Sequence, residues 1–362
     1  MPFTSDQKRI ALHQAFWDRA AQQYPPAAFR VVPDFFFSTH YQAARSLLVP
    51  NQRISPEMLD VDRFLPDYER MYQTALDLGQ DAFWVAEPFT GIPWMEAILG
   101  CEILAGGESF ISRPWLQSLD EIETIAFDAQ NPWLLKYLEF TQKLVALAHG
   151  RFPVGMPIMR GPADIVGAIM GQIEMVLALV DEGERMKAFF LRVSEVFSRV
   201  ISAQNDLIPA FLGGTALGFY HVYCPGTSIW YQEDLSAIMS PSLYREFLTE
   251  PERRICAGYD YTAIHLHPAS FFLLDELLAK DDLTAIEVNK DVGGPSVEEM
   301  LPHLRKILDR KCLILWGDLN AEDIRCLQKN FSARGLFLFV VAPDENTATQ
   351  LLAQIRAWPA NS

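Results

Sequence analysis

Two histidines, His265 and His267, stand two positions apart at the end of an apolar run. On a β-strand, residues i and i+2 point to the same face, so both imidazoles are expected to project from one strand end. Such a pair can hold a metal ion, bind an anion or move a proton. A catalytic zinc ion usually has three protein ligands and one open position, so a metal site requires a third ligand.

Four residues near predicted strand ends are candidates for that third ligand: Cys224, Glu233, Asp234 and Glu287. The residue types alone do not choose among them. Two other interpretations of the histidines stay open at this point. The pair could bind substrate through hydrogen bonds without a metal, or it could simply pack in place.

A carboxylate and a guanidinium also follow apolar runs. Glu87 ends the run 81–87 and is a candidate general acid or base, or a substrate-binding carboxylate. The alternative is an ion pair, with Arg160 as a candidate partner. Arg160 follows the run 152–159, and its planar fork suits a carboxylate or phosphate group of a substrate, or else a salt bridge at the rim.

Aromatic residues near the same ends, including Trp94, Tyr231 and Trp316, are candidates to contact the substrate. Flat or apolar ligand pockets are commonly walled by such side chains. Most large aromatics belong to the core, so we expect only one or two of the large aromatics in this part of the chain to face a pocket.

Strand-like apolar runs alternate with helical periodicity, which predicts a parallel α/β sheet. Eight runs are centred near residues 30, 84, 155, 229, 264, 286, 314 and 338. Eight βα units is the number in a (β/α)8 TIM barrel, and a doubly wound open sheet is the competing architecture. We expect one barrel domain over 1–362 with an N-terminal helical extension over 1–27. Catalytic groups of barrels lie at the carboxyl ends of strands, where Asp34 and the candidates above are expected.

Composition excludes several classes of function. The formal net charge is -16, which argues against a nucleic-acid partner because phosphate backbones require a basic surface. Five cysteines without a CxxC spacing indicate a reducing compartment, and no signal peptide or membrane span is expected, so we predict a cytoplasmic protein. Neither a phosphate-binding glycine loop nor a GxSxG nucleophile motif occurs.

Five stretches in the second half resemble the uroporphyrinogen decarboxylase (URO-D) superfamily. They are Tyr-Gln-Glu-Asp at 231–234, Met-Ser-Pro-Ser-Leu-Tyr-Arg-Glu-Phe at 239–247, Ile-His-Leu-His at 264–267, Leu-Trp-Gly-Asp-Leu-Asn at 315–320 and Ala-Pro-Asp-Glu-Asn at 342–346. The resemblance implies a (β/α)8 barrel. It also implies an activity among porphyrinogen decarboxylases, relatives of cobalamin-independent methionine synthase, or zinc methyltransferases that act between corrinoid proteins and thiols.

The chain departs from two patterns of that superfamily. Uroporphyrinogen decarboxylases carry an R-Q-A-G-R motif near their first strand, where this chain has Pro-Asp-Phe-Phe-Phe at 33–37. The methyltransferases carry an H-x-C pair and a late cysteine. Here His265 matches the histidine, His267 replaces the cysteine, and the last strand, 337–342, has no cysteine. Two imidazoles and a carboxylate form a harder site, which favours polarising an oxygen rather than a thiol.

The resemblance therefore implies a methyltransferase of the methylcobamide-dependent kind. We expect a metal, with zinc as the first candidate, held by His265, His267 and a carboxylate such as Glu233 or Asp234. The site would activate a small-molecule substrate, and a separate corrinoid protein would carry the methyl group. A homodimer is left open.

Glu87 and Arg160 are expected to orient that substrate. A decarboxylase-like lyase is the alternative, with Arg160 holding a small carboxylic acid and Glu87 or a histidine such as His267 supplying a proton. A non-catalytic ligand-binding barrel is the third interpretation.

Overall fold

The computed structural model describes residues 4–32 and 40–359. Its strands are β1 (Ala27–Val31), β2 (Arg53–Ile54), β3 (Glu102–Ala105), β4 (Phe110–Arg113), β5 (Thr215–Leu217), β6 (Val222–Cys224), β7 (Ser228–Gln232), β8 (Tyr261–Leu266), β9 (Ala285–Lys290), β10 (Cys312–Gly317) and β11 (Leu336–Ala342). Six of them form one curled parallel sheet in the order β1-β11-β10-β9-β8-β7. β2, β3 and β4 form a small antiparallel sheet, and β5 pairs with β6 as a hairpin.

The α-helices are α1 (Thr4–Trp17), α2 (Leu65–Leu78), α3 (Trp94–Ile98), α4 (Pro132–Ala148), α5 (Pro162–Met170), α6 (Gln172–Asp181), α7 (Gly183–Asn205), α8 (Pro241–Phe247), α9 (Thr249–Cys256), α10 (Leu274–Leu278), α11 (Val297–Leu308), α12 (Ala321–Asn330) and α13 (Glu345–Arg356). From β8 onward strands and helices alternate as predicted, and the α/β class is confirmed. Local sequence fixes these helix starts, since Ser296 caps α11 within a capping box with Glu299 and Asp344 caps α13.

The described strands form a half-barrel rather than the eight-stranded barrel that the periodicity predicts. The segments expected as strands near residues 84 and 155 are extended but pair with their neighbours through isolated bridges instead of continuous ladders. Ala86 pairs with Val154, and Arg160 pairs with Gln232 at the end of β7, both in parallel. The arrangement is consistent with a TIM-like fold.

Backbone chemistry explains why the run at 152–159 is not a regular strand. Pro153 and Pro157 have no N–H to donate to a ladder. Gly155 lies against the β5–β6 hairpin so closely that an added Cβ would be 2.6 Å from the Cα of Gly218. Apolar character predicted a strand, whereas the prolines and this close approach limit its pairing.

Helix α1 packs across the amino ends of the strands, away from the predicted site. The indole of Trp17 donates to the carbonyl of Tyr223 at 2.9 Å and packs against Tyr261, the first residue of β8. The helix ends at Trp17, before the end of the helical extension expected over 1–27. Arg19 adopts a left-handed conformation with φ +48°, and the next N–H reaches back to close a Schellman motif.

The described part of the chain between β1 and α2 contains only short elements. From residue 40 it consists of short 3-10 turns and the strand β2 before α2 begins. Asp34 and the 33–37 stretch lie outside the described residues. Within those residues no single helix has the length and apolar composition needed to cross a bilayer. α5 and α6 meet both criteria only when they are taken together, and a bend of 106° separates them.

Candidate metal centre

The two histidines predicted to act together meet at the carboxyl end of β8. His265 belongs to the strand and His267 follows it directly. Their Nε2 atoms are 3.1 Å apart, and the rings lie edge to face with centroids 4.6 Å apart. His265 is buried and His267 is half-buried. The strand period of two therefore brings both imidazoles to one point.

Asp234 supplies a third donor atom to the same point. It begins the 3-10 turn Asp234–Ile238 shortly after β7, the neighbour of β8 in the sheet. Its Oδ1 lies 3.7 Å from Nε2 of His265 and 3.6 Å from Nε2 of His267. Tetrahedral zinc with bonds of about 2.1 Å places its ligand atoms roughly 3.4 Å apart, so the separations in this group fit a metal ion.

Carboxylates hold the Nδ1 atoms on the far side of both rings. Nδ1 of His265 contacts the Glu287 carboxylate, and the hydroxyl of Tyr220 lies 3.0 Å from that nitrogen and donates to Glu287 at 2.9 Å. Nδ1 of His267 lies 2.6 Å from Oδ1 of Asp291. A carboxylate that accepts a proton-bearing Nδ1 leaves the lone pair of Nε2 free to bind a metal.

The electrostatics of this group favour a cation between the rings. Burial alone would lower the pKa of His265, but the charge and hydrogen bond of Glu287, together with the charges of Asp234 and Asp164, raise it to about 9. The cation can be a proton or a metal ion. A metal ion must displace the proton from Nε2 in order to bind.

Asp164 on α5 fixes the position of Asp234. Its carboxylate accepts the backbone N–H groups of Asp234 at 3.1 Å and Leu235 at 2.7 Å. Burial and the charge of Asp234 raise the pKa of Asp164 to about 7. Asp234 also accepts a hydrogen bond from the amide of Gln232. The turn that carries the third donor is therefore held from two sides.

Arg160 lies beside the group of Asp234, His265 and His267, in a cavity of about 400 Å³ that Asp164 and Asp234 also line. Its guanidinium donates to Glu96 at 2.6 Å, and Glu96 is fully buried in α3. The Arg160 side chain remains 40% exposed. One side of the guanidinium is thus anchored, and the other side is open to an acidic group in the cavity.

Glu87 lies in a different cavity, of about 330 Å³, together with Arg30 and His221. Its ion-pair partner is Arg30 at 3.8 Å, so the suggested pairing with Arg160 is wrong. Burial raises the pKa of Glu87 to about 8, against the opposing charge of Arg30. The role of Glu87 in orienting the substrate stays a prediction.

Two other candidate ligands lie outside the three-residue group. Glu233 is buried, and its carboxylate accepts the backbone N–H of Ala163 at 2.9 Å, in the first turn of α5. It therefore stabilises a helix start rather than facing the histidines. Cys224 is buried within β6, and burial raises the pKa of its thiol to about 12. A thiolate ligand is disfavoured there.

The aromatic residues predicted to contact the substrate are buried. The indole of Trp94 donates to the Phe89 carbonyl at 3.0 Å, and the hydroxyl of Tyr231 donates to Glu252 at 3.0 Å. Trp316 is 5% exposed and packs against other aromatic rings of the core. Their burial fits the usual core role of large aromatics, and their substrate role stays a prediction.

Sequence reasoning did not assign the residues that support the histidines. Glu287, Asn289 and Asp291 repeat the two-residue spacing of the histidines on the next strand, and His265 is opposite Glu287 in the β8–β9 register. That shared two-residue spacing is the sequence feature from which these supporting residues could have been predicted. Tyr220 comes from the connection between β5 and β6, and no feature of its surrounding sequence pointed to the site.

The sequence matches no protein-family model and no curated protein. A comparison with solved structures finds a methyltransferase from Methanosarcina mazei, with a TM-score of 0.64 and 14% sequence identity. The match covers 97% of this chain and 98% of that chain. At this identity the likeness establishes a shared fold, which extends over nearly the whole length of both proteins.

Proposed function

We propose that the chain is a metal-dependent methyltransferase that moves a methyl group between a corrinoid carried by a partner protein and a small acceptor. The observation that carries the proposal is the convergence of Asp234, His265 and His267, with a carboxylate behind each imidazole. The fold shared with a methyltransferase supports the reaction class.

The donor set indicates which metal and which acceptor fit. Two imidazoles and one carboxylate are typical ligands of catalytic zinc, and they leave one position for substrate. When bound, zinc would act as a Lewis acid on the acceptor. Because none of the three ligands is a thiolate, we propose an acceptor bound through oxygen in place of the thiol that the superfamily resemblance implies.

The residues of this chain have separate tasks in the proposed reaction. Glu287 and Asp291 keep each Nδ1 occupied, so that both Nε2 atoms face the acceptor position. Arg160 binds an acidic group of the acceptor within the 400 Å³ cavity. The bond from acceptor to methyl forms as the cobalt–carbon bond breaks. The electron pair stays on the corrinoid, and the acceptor proton leaves to solvent.

Metal analysis of purified protein tests this proposal. We expect about one zinc ion per chain, lost in both His265→Ala and His267→Ala. His149→Asn is the control, because His149 is exposed in a left-handed conformation that asparagine tolerates. Native protein that binds no metal after incubation with zinc would refute the proposal.

A lyase acting on a small carboxylic acid is the second candidate, and the half-exposed guanidinium of Arg160 in its cavity favours it. It predicts that metal-free protein decarboxylates an acid and that Arg160→Gln abolishes turnover without changing metal content. A non-catalytic barrel instead predicts a co-purifying ligand that leaves the protein chemically unchanged.

A further inference from the structure

Most of the exposed large apolar side chains lie on α6 and on loops at the carboxyl ends of three strands. Four of them, Ile173, Val176, Leu177 and Val180, lie on α6. Three more, Ile238, Phe272 and Val292, lie on loops that follow β7, β8 and β9. We call these seven residues the mouth patch. They form the majority of the twelve large apolar side chains that are exposed among residues 4–32 and 40–359.

The α6 part of the patch is a continuous stripe. Its four residues have helical spacing i, i+3, i+4 and i+7, which places them on one face. The opposite face packs into the core through Met175 and Leu179. Ile173 is 72% exposed and Val180 is 77% exposed. A helix that is apolar on its solvent face as well as on its core face is typical of an interaction surface.

The loop residues connect this stripe to the site. Ile238 ends the 3-10 turn that Asp234 begins, and Phe272 lies in the turn Pro268–Leu273 immediately after His267. Val292 follows Asp291. The first residue of α6, Gln172, lines the cavity that contains Arg160 and Asp234. The patch therefore borders the opening to the metal centre.

Charge indicates what kind of partner fits. The segments that carry the patch contain four carboxylates and neither lysine nor arginine. These segments are α6, Asp234–Ile238, Pro268–Leu273 and 291–294. Those acids are Glu174, Asp181, Asp234 and Asp291. A second copy of this chain would oppose the same acids, and an anionic membrane would be repelled.

We infer that the mouth patch is the docking surface for a protein partner with an apolar contact face edged by lysine and arginine. The identity of this partner rests on the proposed function: it is the protein that brings the methylated corrinoid to the metal centre. The apolar stripe supplies contact area, and the exposed carboxylates Glu174 and Asp181 on α6, which lie outside the metal centre, attract a basic rim.

Binding of a corrinoid protein to patch variants tests this inference. The probe is the corrinoid-containing protein isolated by its cobalamin absorbance from cells that produce this chain. Its Kd is measured by biolayer interferometry for wild type and for Leu177→Glu/Val180→Glu. We expect the double variant to bind at least tenfold more weakly. Leu135→Glu, at a 47% exposed leucine on α4, is the control and should keep the Kd within twofold.

Failure of the docking inference can be told apart from failure of the proposed function. No binding to wild type, equal weakening by Leu135→Glu, or a wild-type dimer that the double variant dissociates in sedimentation would overturn the docking surface. Zinc content and demethylation of free methylcobalamin test the function without the partner. We expect both to be unchanged in the double variant. If zinc is absent yet binding still depends on the patch, docking stands and the function fails.

Discussion

At the scale of single residues, the candidate site consists of histidines that are each paired with a carboxylate, and these carboxylates matter as well as the candidate ligands. Each histidine has one nitrogen facing the candidate metal position and one facing a carboxylate. His267 depends on Asp291, whose Oδ1 also accepts the amide of Asn289 at 2.6 Å. Such outer partners orient the imidazole and raise its basicity, so they contribute to metal affinity without touching the metal.

Replacing the outer carboxylate should therefore weaken metal binding. We expect Asp291→Asn to lower zinc affinity by roughly 10- to 100-fold, measured by competition with a chelating dye. Asp318→Asn is a suitable control, since Asp318 is 56% exposed and pairs with Lys290. Equal zinc affinity in Asp291→Asn and wild type would show that Asp291 does not support His267.

A second residue-scale prediction concerns pH and Glu87. Burial raises the pKa of this carboxyl to about 8 from an ordinary value of 4.5. A raised pKa means that the protonated group stabilises the fold at low pH. Its contribution is complete below about pH 4.5 and is lost as the pH rises through 8. Urea unfolding between pH 6 and 9.5 should show wild type losing more stability than Glu87→Gln. Parallel curves for the two proteins would contradict this account.

The histidine pair could be predicted from sequence because strand periodicity is a local property. The choice among Cys224, Glu233, Asp234 and Glu287 could not. It depends on how the turn after β7 is held, which is decided by Asp164 seventy residues earlier in the chain. Glu233 and Asp234 are adjacent at this turn, yet one faces the first turn of α5 and the other faces the histidines. Neither composition nor spacing indicates which of the two is the ligand.

At the scale of elements, the junction between the segment ending in Arg160 and α5 positions both sides of the site. Gly161 separates them, and its N–H donates to the Gln232 carbonyl at 2.6 Å. A Cβ there would lie 2.5 Å from Oε1 of Glu233 and 2.8 Å from that carbonyl. The absence of a side chain lets the segment, β7 and α5 meet.

We therefore expect Gly161→Ala to be destabilising, by about 1–3 kcal/mol, because a buried carboxylate and a backbone carbonyl must move. Urea unfolding gives the free energy of unfolding. Gly183→Ala is the control, since a Cβ there meets only Phe247 at 3.7 Å, and we expect it to be neutral or slightly stabilising. Equal stabilities for both variants would show that the junction tolerates a methyl group.

Strands and helices were predicted correctly where hydrophobic periodicity alone determines them. From β8 to α13 the strands and helices follow hydrophobic periodicity closely. The runs near residues 84 and 155 were apolar enough to predict strands, but they pair through isolated bridges. In the second run Pro153 and Pro157 cannot donate to a ladder, and Gly155 lies close against Gly218 in the β5–β6 connection. That contact joins residues more than sixty positions apart, so no local pattern could reveal it.

At the scale of the whole molecule, the two ends of the parallel sheet carry different features. The carboxyl ends carry the candidate metal centre and the mouth patch. The amino ends are covered by α1, where Trp17 is 8% exposed and contacts Tyr223 and Tyr261. In barrel enzymes the carboxyl end carries catalysis and the opposite end contributes stability. The same division is expected here, although the described strands form only a half-barrel.

Truncating Trp17 tests that division. Trp17→Ala removes a buried indole and its hydrogen bond, so we expect a loss of about 3–5 kcal/mol in the free energy of unfolding. Zinc stoichiometry and affinity of the folded variant should equal those of wild type, because the ligands at the other end are untouched. His267→Ala should show the reverse, with zinc lost and metal-free stability little changed, since His267 is only half-buried. If Trp17→Ala also released zinc from folded protein, the two ends would be coupled and the division would be wrong.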